Sequence, residues 1–470
     1  MNESSETIQT DLLVVGGGIV GAGMARDAAM RGIKTLLVEQ HDFSSGTSSR
    51  SSRLLHGGIR YLAQGNLPLV FEASREKGVI YRIAPHLAEP LPFIFPTYKK
   101  TSWPKWQMAI GVRIYDLLCG KKNLGKSSNL SIADLKQLLP QLGLDGSTGG
   151  VRYFDGLTND SRLVMDTLES ASEHGAELHN YTRFAGAQKN GQGWACEMED
   201  CSSGTRWKVQ CRGIINATGV WSPELEQSHV KLRPTKGVHL VIDRKRMEVP
   251  SAVVLTDESR VLFLIPWGDR TIVGTTDTDY SGSLEDPVCD TDDLEYVLSN
   301  VNAYFPDAKL TRDDVLSTWV GLRPLVADPN GNPSDISRKH EITMPESGWW
   351  DVTGGKLTTY RLIAEQAVDS FVKHLGIPAE DCTTAKTPLL PDAPPGTAYS
   401  GCRPPEVARE VVEYYVAHEW VVHLDDIMVL PDSYSGEQLA FCTILGNNPL
   451  IGKEVARACF RFGNVSGGRK

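Results

Sequence analysis

An apolar run from Asp11 to Val15 leads into Gly16, Gly18 and Gly21, and a second run from Thr35 ends at Glu39. This pattern demands a strand, a glycine turn, a helix and a second, parallel strand. Gly16 permits the tight turn, Gly18 lets backbone approach a pyrophosphate, and Gly21 lets helix and strand pack closely. The helix N-terminus then offers N–H donors to phosphate. Glu39, about twenty residues beyond the turn, is placed to accept from a ribose hydroxyl. A glycine fingerprint alone is weak, but strand, helix and acid in register make it a dinucleotide seat, without deciding between nicotinamide and flavin.

At 470 residues the chain exceeds one ordinary core, so two or three lobes are expected. Its net charge of −10 argues against nucleic acid as a partner, although a local basic patch remains compatible with a phosphate substrate or anionic lipid. The nine cysteines are scattered, with no CxxC pair and no Cys/His cluster at metal spacing, so no metal site is expected. No apolar run is long enough to span a bilayer, and Met1 to Thr10 is polar and acidic, unlike a signal peptide, so a cytoplasmic location is expected.

After Glu39, the polar stretch Asp42 to Arg53 follows a strand end, where loops border the bound dinucleotide; Ser48, Ser49, Ser51 and Ser52 are therefore candidates for phosphate contact. His56-Gly57-Gly58-Ile59-Arg60-Tyr61-Leu62 sets an imidazole, a guanidinium and a phenol around a glycine pair. From Tyr98 to Asn123, Lys99, Lys100, Lys105, Lys121 and Lys122 flank an amphipathic helix bearing Trp103 and Trp106. Its pattern suits either an interfacial helix or a helix packed on the protein's own core. Asp155 to Ala176 reads as a helix capped by Asp160 and Ser161, and Trp194 to Met198 with Trp207 to Cys211 as a small hairpin. Gly213 to Asn216 is a buried strand whose end, Ala217-Thr218-Gly219, is small enough to admit a cofactor. Val238 to Ile242, Val253 to Thr256, Val261 to Pro266 and Thr271 to Thr275 form a mainly antiparallel sheet carrying His239. Trp350 to Tyr360 is a strand, a Gly354-Gly355 turn and a helix start, a second anion seat with Lys356 at its mouth. The Pro-rich Thr387 to Pro395 reads as a linker, and Pro404 to Trp420 as a helix of a small tail domain.

Taken together, these residues resemble the FAD-dependent, quinone-linked glycerol-3-phosphate dehydrogenases, a branch of the D-amino-acid-oxidase-like flavoproteins. The match covers about the first 380 residues and rests on the Gly16 to Gly21 fingerprint with Glu39, the serine-rich segment running into His56 to Leu62, Ala217-Thr218-Gly219, Gly274-Thr275-Thr276-Asp277, Gly321-Leu322-Arg323-Pro324 and Gly354 to Tyr360. The resemblance implies an α/β fold: a Rossmann-like FAD-binding domain of glutathione-reductase type, an inserted, mainly antiparallel β substrate domain, and a small α-helical C-terminal domain. The expected boundaries are 1–90, 150–235 and 350–385 for the FAD-binding domain, 91–149 and 236–349 for the substrate and membrane-facing cap, and 386–470 for the tail. It also implies oxidation of glycerol 3-phosphate at carbon 2 to dihydroxyacetone phosphate, with hydride passing to flavin N5 and electrons to membrane quinone. The expected location is the inner face of the cell membrane, held peripherally through the Lys99 to Lys122 region. The tail after Ala385 is shorter than is usual in this family, which leaves the assembly state, a homodimer included, open.

A secondary alcohol gives up hydride only as its hydroxyl proton leaves, so a base is needed near carbon 2; His56 and His239 are both candidates. Arg60, Arg323 and Lys356 can meet a phosphate dianion, with Arg323 the first choice and Tyr61 adding a hydrogen bond. Lys356 suits a catalytic role as well, facing the substrate oxygen or the flavin. Gly354, Gly355, Leu357 and Thr358 join Ala217, Thr218, Gly219 and the first fingerprint as cofactor-binding candidates, the FAD being held non-covalently. The alternatives are an oxidase that passes electrons from the same substrate to oxygen, and an amine or amino-acid oxidase in which a single arginine binds carboxylate.

Overall fold

The computed structural model describes residues 7–59, 67–99, 103–120, 124–191, 193–257, 260–326 and 340–390. The chain divides into a unit of residues 1–389 and a second of residues 390–470; the elements given below belong to the first, and the helix expected at Pro404 to Trp420 lies outside the described residues. The described helices are α1 (Ile19–Met30), α2 (Leu67–Ile83), α3 (Lys105–Cys119), α4 (Ile132–Leu138), α5 (Asp160–Glu173), α6 (Thr291–Tyr304) and α7 (Tyr360–Leu375).

The first sheet has six strands in the order Glu341–Glu346, Trp349–Thr353, Gly213–Asn216, Leu12–Val15, Thr35–Val38 and Glu177–His179. All pairings are parallel except the first, a hairpin. Leu12–Val15, Thr35–Val38 and Gly213–Asn216 are buried at every residue, as unbroken apolar strands of a sheet covered on both faces must be. Helices α1, α5 and α7 pack together on this sheet, and α1 meets α7 so closely that a β-carbon on Gly23 would lie 3.0 Å from the Tyr360 ring. Leu13, Val15, Leu36 and Val38 pack in one cluster with a four-stranded sheet ordered Ile8–Gln9, Arg206–Cys211, Gly193–Asp200 and Thr182–Asn190. Trp194, Cys196 and Met198 alternate inward to fill that interface, the period-two pattern that marks the hairpin in the sequence.

The large sheet is ten-stranded and mainly antiparallel, built around Thr235–Asp243, which pairs with both Arg270–Gly274 and Val315–Arg323. Val238, Leu240 and Ile242 enter a core shared with α4 and α6, while Val241 belongs to a second core shared with α2 and α3. His239 and Gly237 therefore point to the opposite side from Val238, toward the site described below.

One part of this sheet differs from the sequence reading. Residues 155–158, expected within a helix, complete the strand Ser147–Thr158, and α5 begins at Asp160 with Asn159, not Asp160, as its cap, accepting from Arg162 N at 3.1 Å. That strand pairs along its length with Ala88–Tyr98, and the pairing overrides the local helical signal. Ala88–Tyr98 is itself hidden by Pro90, Pro92 and Pro96, which argue against a central strand. They occupy alternate positions, so the missing N–H groups fall on one edge, where the second neighbour reaches only Phe93 and Ile94. The boundary expected at residue 150 thus falls inside a strand of the large sheet.

Helix α3 buries Met108, Val112, Tyr115 and Cys119, and leaves Trp106, Ile110, Ile114 and Leu117 at 63%, 50%, 39% and 79% exposure. The helix therefore packs on the protein's own core through one face and carries an apolar stripe on the other. No helix among the described residues is long and apolar enough to cross a membrane.

Trp349 is fully buried at the junction of the first two sheets, with its ring edge-on to Trp194 and Phe184 and its Nε1–H donated to Asp351 at 2.9 Å. Trp349→Ala removes that packing and one donor to Asp351, which still accepts from Asn216, Ser228 and His229, so urea unfolding is expected to show a loss of about 3–5 kcal/mol, set by the packing.

Candidate active site and cofactor cleft

Two cavities lie side by side. The first, of about 230 Å³, opens at the carboxyl ends of Leu12–Val15, Gly213–Asn216 and Trp349–Thr353 and is bordered by Gly16, Gly18, Glu39, Ser48, Ala217, Thr218 and Gly219. Gly16 has φ +111°, and a β-carbon there would lie 2.6 Å from the Ala217 carbonyl oxygen. A β-carbon on Gly21 would overlap the Gly16 carbonyl oxygen, so that position lies behind the chamber and closes helix against turn. At the start of α1, Ile19 N donates to Ser48 Oγ at 2.9 Å, and no side chain caps the helix from Gly18. Glu39 accepts from Gly17 N at 2.7 Å and from His41 N at 2.9 Å. Burial pushes its carboxyl above the ordinary range, and the backbone donors act in the opposite direction.

The second cavity, of about 260 Å³, is bordered by Ser51, Ser52, His56, His239, Arg323 and Thr358. It shares Thr47, Pro324 and the turn Gly354, Gly355, Lys356 and Leu357 with the first, so the two are halves of one cleft. Gly354 and Gly355 have φ +71° and +88°, left-handed conformations that let the backbone itself form the shared wall. Ser49 borders neither chamber; its hydroxyl lies 3.5 Å from the Gly46 carbonyl. Arg60 and Tyr61, expected at the substrate, lie outside the described residues.

The two histidines sit in different environments. His56 N donates to Thr358 Oγ1 at 3.1 Å, and that hydroxyl returns a bond to His56 O at 3.3 Å, which ties the histidine to the turn carrying Lys356. His239 is buried and stacked on Trp319, ring centroids 4.9 Å apart, with Nε2 2.8 Å from Ser52 Oγ. Burial pushes its imidazole down to about 3, with Arg323 and Arg53 adding to the effect, so it is neutral at ordinary pH. Ser52 is presented by a strained turn: Arg53 has φ +56° and its guanidinium lies 4.3 Å from the Trp267 ring. Ser51 Oγ donates to buried Asp160 at 2.7 Å. Arg323 donates to Thr275 Oγ1 at 3.1 Å, and to Asp277 and the Thr276 carbonyl at 3.2 Å.

Sequence reasoning missed two features of the second chamber. Phe93, Phe95, Trp103, Tyr153 and Phe263 give it an aromatic arm, with Phe93 stacked on Tyr153 at 5.1 Å. Asp155 also borders it, 2.6 Å from Lys77 Nζ. A signal existed for Lys77, which falls on the same helical stripe as Val70, Ala73 and Ile80, where a lysine needs a buried partner.

The residues fit an elongated flavin dinucleotide. A glycine cradle and a helix N-terminus stand at one end, a half-buried acid lies beside them, and a second glycine turn leads into a chamber that holds histidines, cations and aromatic rings. The family model described as FAD dependent oxidoreductase matches residues 11–366. The chain is 41% identical over 389 residues to the aerobic glycerol-3-phosphate dehydrogenase of Bacillus subtilis, covering 81% of this chain and 70% of that protein. It is 38% identical over 391 residues to glycerol-3-phosphate dehydrogenase 2 of Mycobacterium tuberculosis, covering 82% and 66%. The crystal structure of the Bacillus halodurans glycerol-3-phosphate dehydrogenase complexed with FAD superposes with a TM-score of 0.65 at 33% identity, covering 80% of this chain and 67% of that one. The L-alpha-glycerophosphate oxidase of Mycoplasma pneumoniae shares the fold, with a TM-score of 0.65 at 16% identity over 81% of this chain and 99% of that one. The chain spans about two thirds of the length of its dehydrogenase relatives. A match across most of the chain, on a cleft of this form, means that the chain belongs to the FAD-dependent oxidoreductase family, in the branch of the glycerol-3-phosphate dehydrogenases, with FAD as its cofactor.

Proposed function

We propose that the chain oxidises sn-glycerol 3-phosphate at carbon 2 to dihydroxyacetone phosphate and passes the electrons to a membrane quinone. The observation that carries this reading is the turn Gly354–Leu357, which walls both chambers and so sets a cofactor seat against a chamber with imidazole, cations and an aromatic arm. In support, the relatives of Bacillus subtilis and Mycobacterium tuberculosis bear the name of this activity. FAD, when bound, supplies the two-electron acceptor. Gly16, Gly18, Glu39, Ser48, Thr218 and Gly219 would hold its dinucleotide end, and Gly354, Gly355, Leu357 and Thr358 its reacting end.

His56 is the base in this reading. Its peptide is anchored to Thr358 beside Lys356, whereas His239 is buried, has Nε2 engaged by Ser52, and holds a proton only in strong acid. His239 instead orders the wall through Ser52 and Trp319. Lys356 and Arg323 serve the phosphate and the alcohol oxygen, with Arg60 and Tyr61 assigned to the same task from the sequence. The aromatic arm supports an apolar acceptor, and the exposed stripe on α3, with exposed Lys99 ahead of its start, supports peripheral docking on anionic lipid at the inner face of the cell membrane. Residues 91–149 and 236–349 would then form the substrate and membrane-facing lobe over the FAD-binding segments.

The functional test supplies glycerol 3-phosphate to the holoenzyme on anionic phospholipid vesicles. Under nitrogen a quinone analogue in the bilayer should be reduced stoichiometrically, and in air little peroxide should form; rapid peroxide release without quinone turnover would assign oxygen as the acceptor. Arg323→Ala should raise KM roughly 10–100-fold through loss of a charged contact while FAD stays bound; equal loss of FAD would make the residue structural. His56→Asn should lower kcat by about 10²–10⁴-fold with FAD retained. His239 should leave no ionisation near neutrality in the pH–rate profile. Its signature lies in stability: an unfolded imidazole binds a proton below about pH 6.5, the folded one only below about 3, so between these values the unfolded state binds more protons and stability falls as pH falls. His239→Gln should flatten that acid-side loss in denaturant melts.

A further inference from the structure

Beneath the second chamber lies a buried polar group that the chemistry above leaves unused. Lys77 on α2 and Tyr115 on α3 are fully buried, and Asp155 is 2% exposed at the chamber wall. Asp155 Oδ1 accepts from Lys77 Nζ at 2.6 Å and from Tyr115 Oη at 2.5 Å. Tyr115 Oη in turn accepts from Gly57 N at 2.8 Å, and Gly57 N lies 3.4 Å from the same Asp155 oxygen. Burial, reinforced by the Asp155 charge, pushes the Tyr115 phenol well above its ordinary range, so it keeps its proton and continues to donate to the carboxylate.

A lysine, a carboxylate and a phenol removed from water together add less stability than apolar side chains of the same volume would. What the group does secure is the backbone immediately after His56. Gly57 is pressed so close that a β-carbon would strike the Tyr115 hydroxyl and come within 2.5 Å of Ser74 Oγ. On the other side, Thr358 grips the N–H and the carbonyl of His56 itself. His56 is thus held between two clamps, one from the Lys356 turn and one from α2, α3 and the strand Ser147–Thr158.

We propose that Tyr115 and Asp155 are positioning residues for His56, fixing its backbone from below through Gly57 so that the imidazole meets the substrate hydroxyl in one orientation. The inference rests on the reading of His56 as the base. It assigns Tyr115 a part in the rate of proton removal and none in substrate affinity, because Tyr115 does not border the chamber. The charged or titratable groups that also face this wall include Lys77, Lys356, Tyr81, Tyr153 and Cys119, and none of them is altered in the variants below.

The test uses holoenzyme with two variants, Tyr115→Phe and Asp155→Asn, and two readouts. In steady state with glycerol 3-phosphate, Tyr115→Phe should lower kcat about tenfold, with KM within about twofold of the parent and FAD content unchanged. Independently of turnover, the His56 imidazole is followed by labelled-histidine NMR, its signal assigned by loss in His56→Asn. The signal should be displaced both in Tyr115→Phe and in Asp155→Asn, because each variant removes part of the clamp on Gly57. An unchanged kcat in Tyr115→Phe, or a His56 signal unmoved in both variants, overturns the proposal and leaves the triad a packing device. Parent enzyme inert toward glycerol 3-phosphate would defeat the functional reading instead, while the NMR signal would still decide whether the triad positions His56.

Discussion

Everything in the cleft depends on how closely the backbone of Gly16 passes Ala217. With φ +111° and no room for a β-carbon, Gly16 turns the chain out of its strand against the end of the neighbouring parallel strand. Gly21 then brings α1 down onto that same turn. These two contacts bring the N-terminus of α1 to the chamber, beside Ser48, and they set Glu39, one strand over, where its carboxylate is held by the N–H groups of Gly17 and His41. A larger residue at either position would separate helix from sheet and lose the anion seat.

The second dependence is the turn at Gly354 to Leu357. Leaving Trp349–Thr353 in left-handed conformations, it forms the wall common to both chambers, and Thr358 locks it to His56. The large sheet supplies the facing wall, because alternation along Thr235–Asp243 sends Val238 and Leu240 into a core and His239 toward the cleft. Helix α3 joins the two ends of the molecule's proposed chemistry. Tyr115 on its inner face reaches Gly57, while Trp106, Ile110 and Leu117 stand exposed on its outer face.

Features that depend on local backbone geometry were legible in the sequence. Gly16, Gly18, Gly21, Glu39, Gly354 and Gly355 each answer a short-range demand, and the strands around His239 announce themselves by alternation. Features that depend on partners far along the chain were not. Ser51 and Ser52 read as phosphate contacts from their position after Glu39, yet their hydroxyls engage Asp160 and His239, residues 109 and 187 positions away. Residues 155–158 carry a helical signal that pairing with Ala88–Tyr98 overrides, and the prolines of that partner disguise it in turn. Asp155, Lys77 and Tyr115 belong to three separate elements, and only folding brings them under Gly57.

The central claim is that this cleft sets carbon 2 of a phosphorylated alcohol against a flavin, with a base in reach. The most direct measurement mixes the holoenzyme under nitrogen with glycerol 3-phosphate, either unlabelled or carrying deuterium at carbon 2, and follows the flavin absorbance in a single turnover. The expected result is complete bleaching, slower for the deuterated substrate, with dihydroxyacetone phosphate as the product. A spectrum that stays yellow at saturating glycerol 3-phosphate would contradict the account.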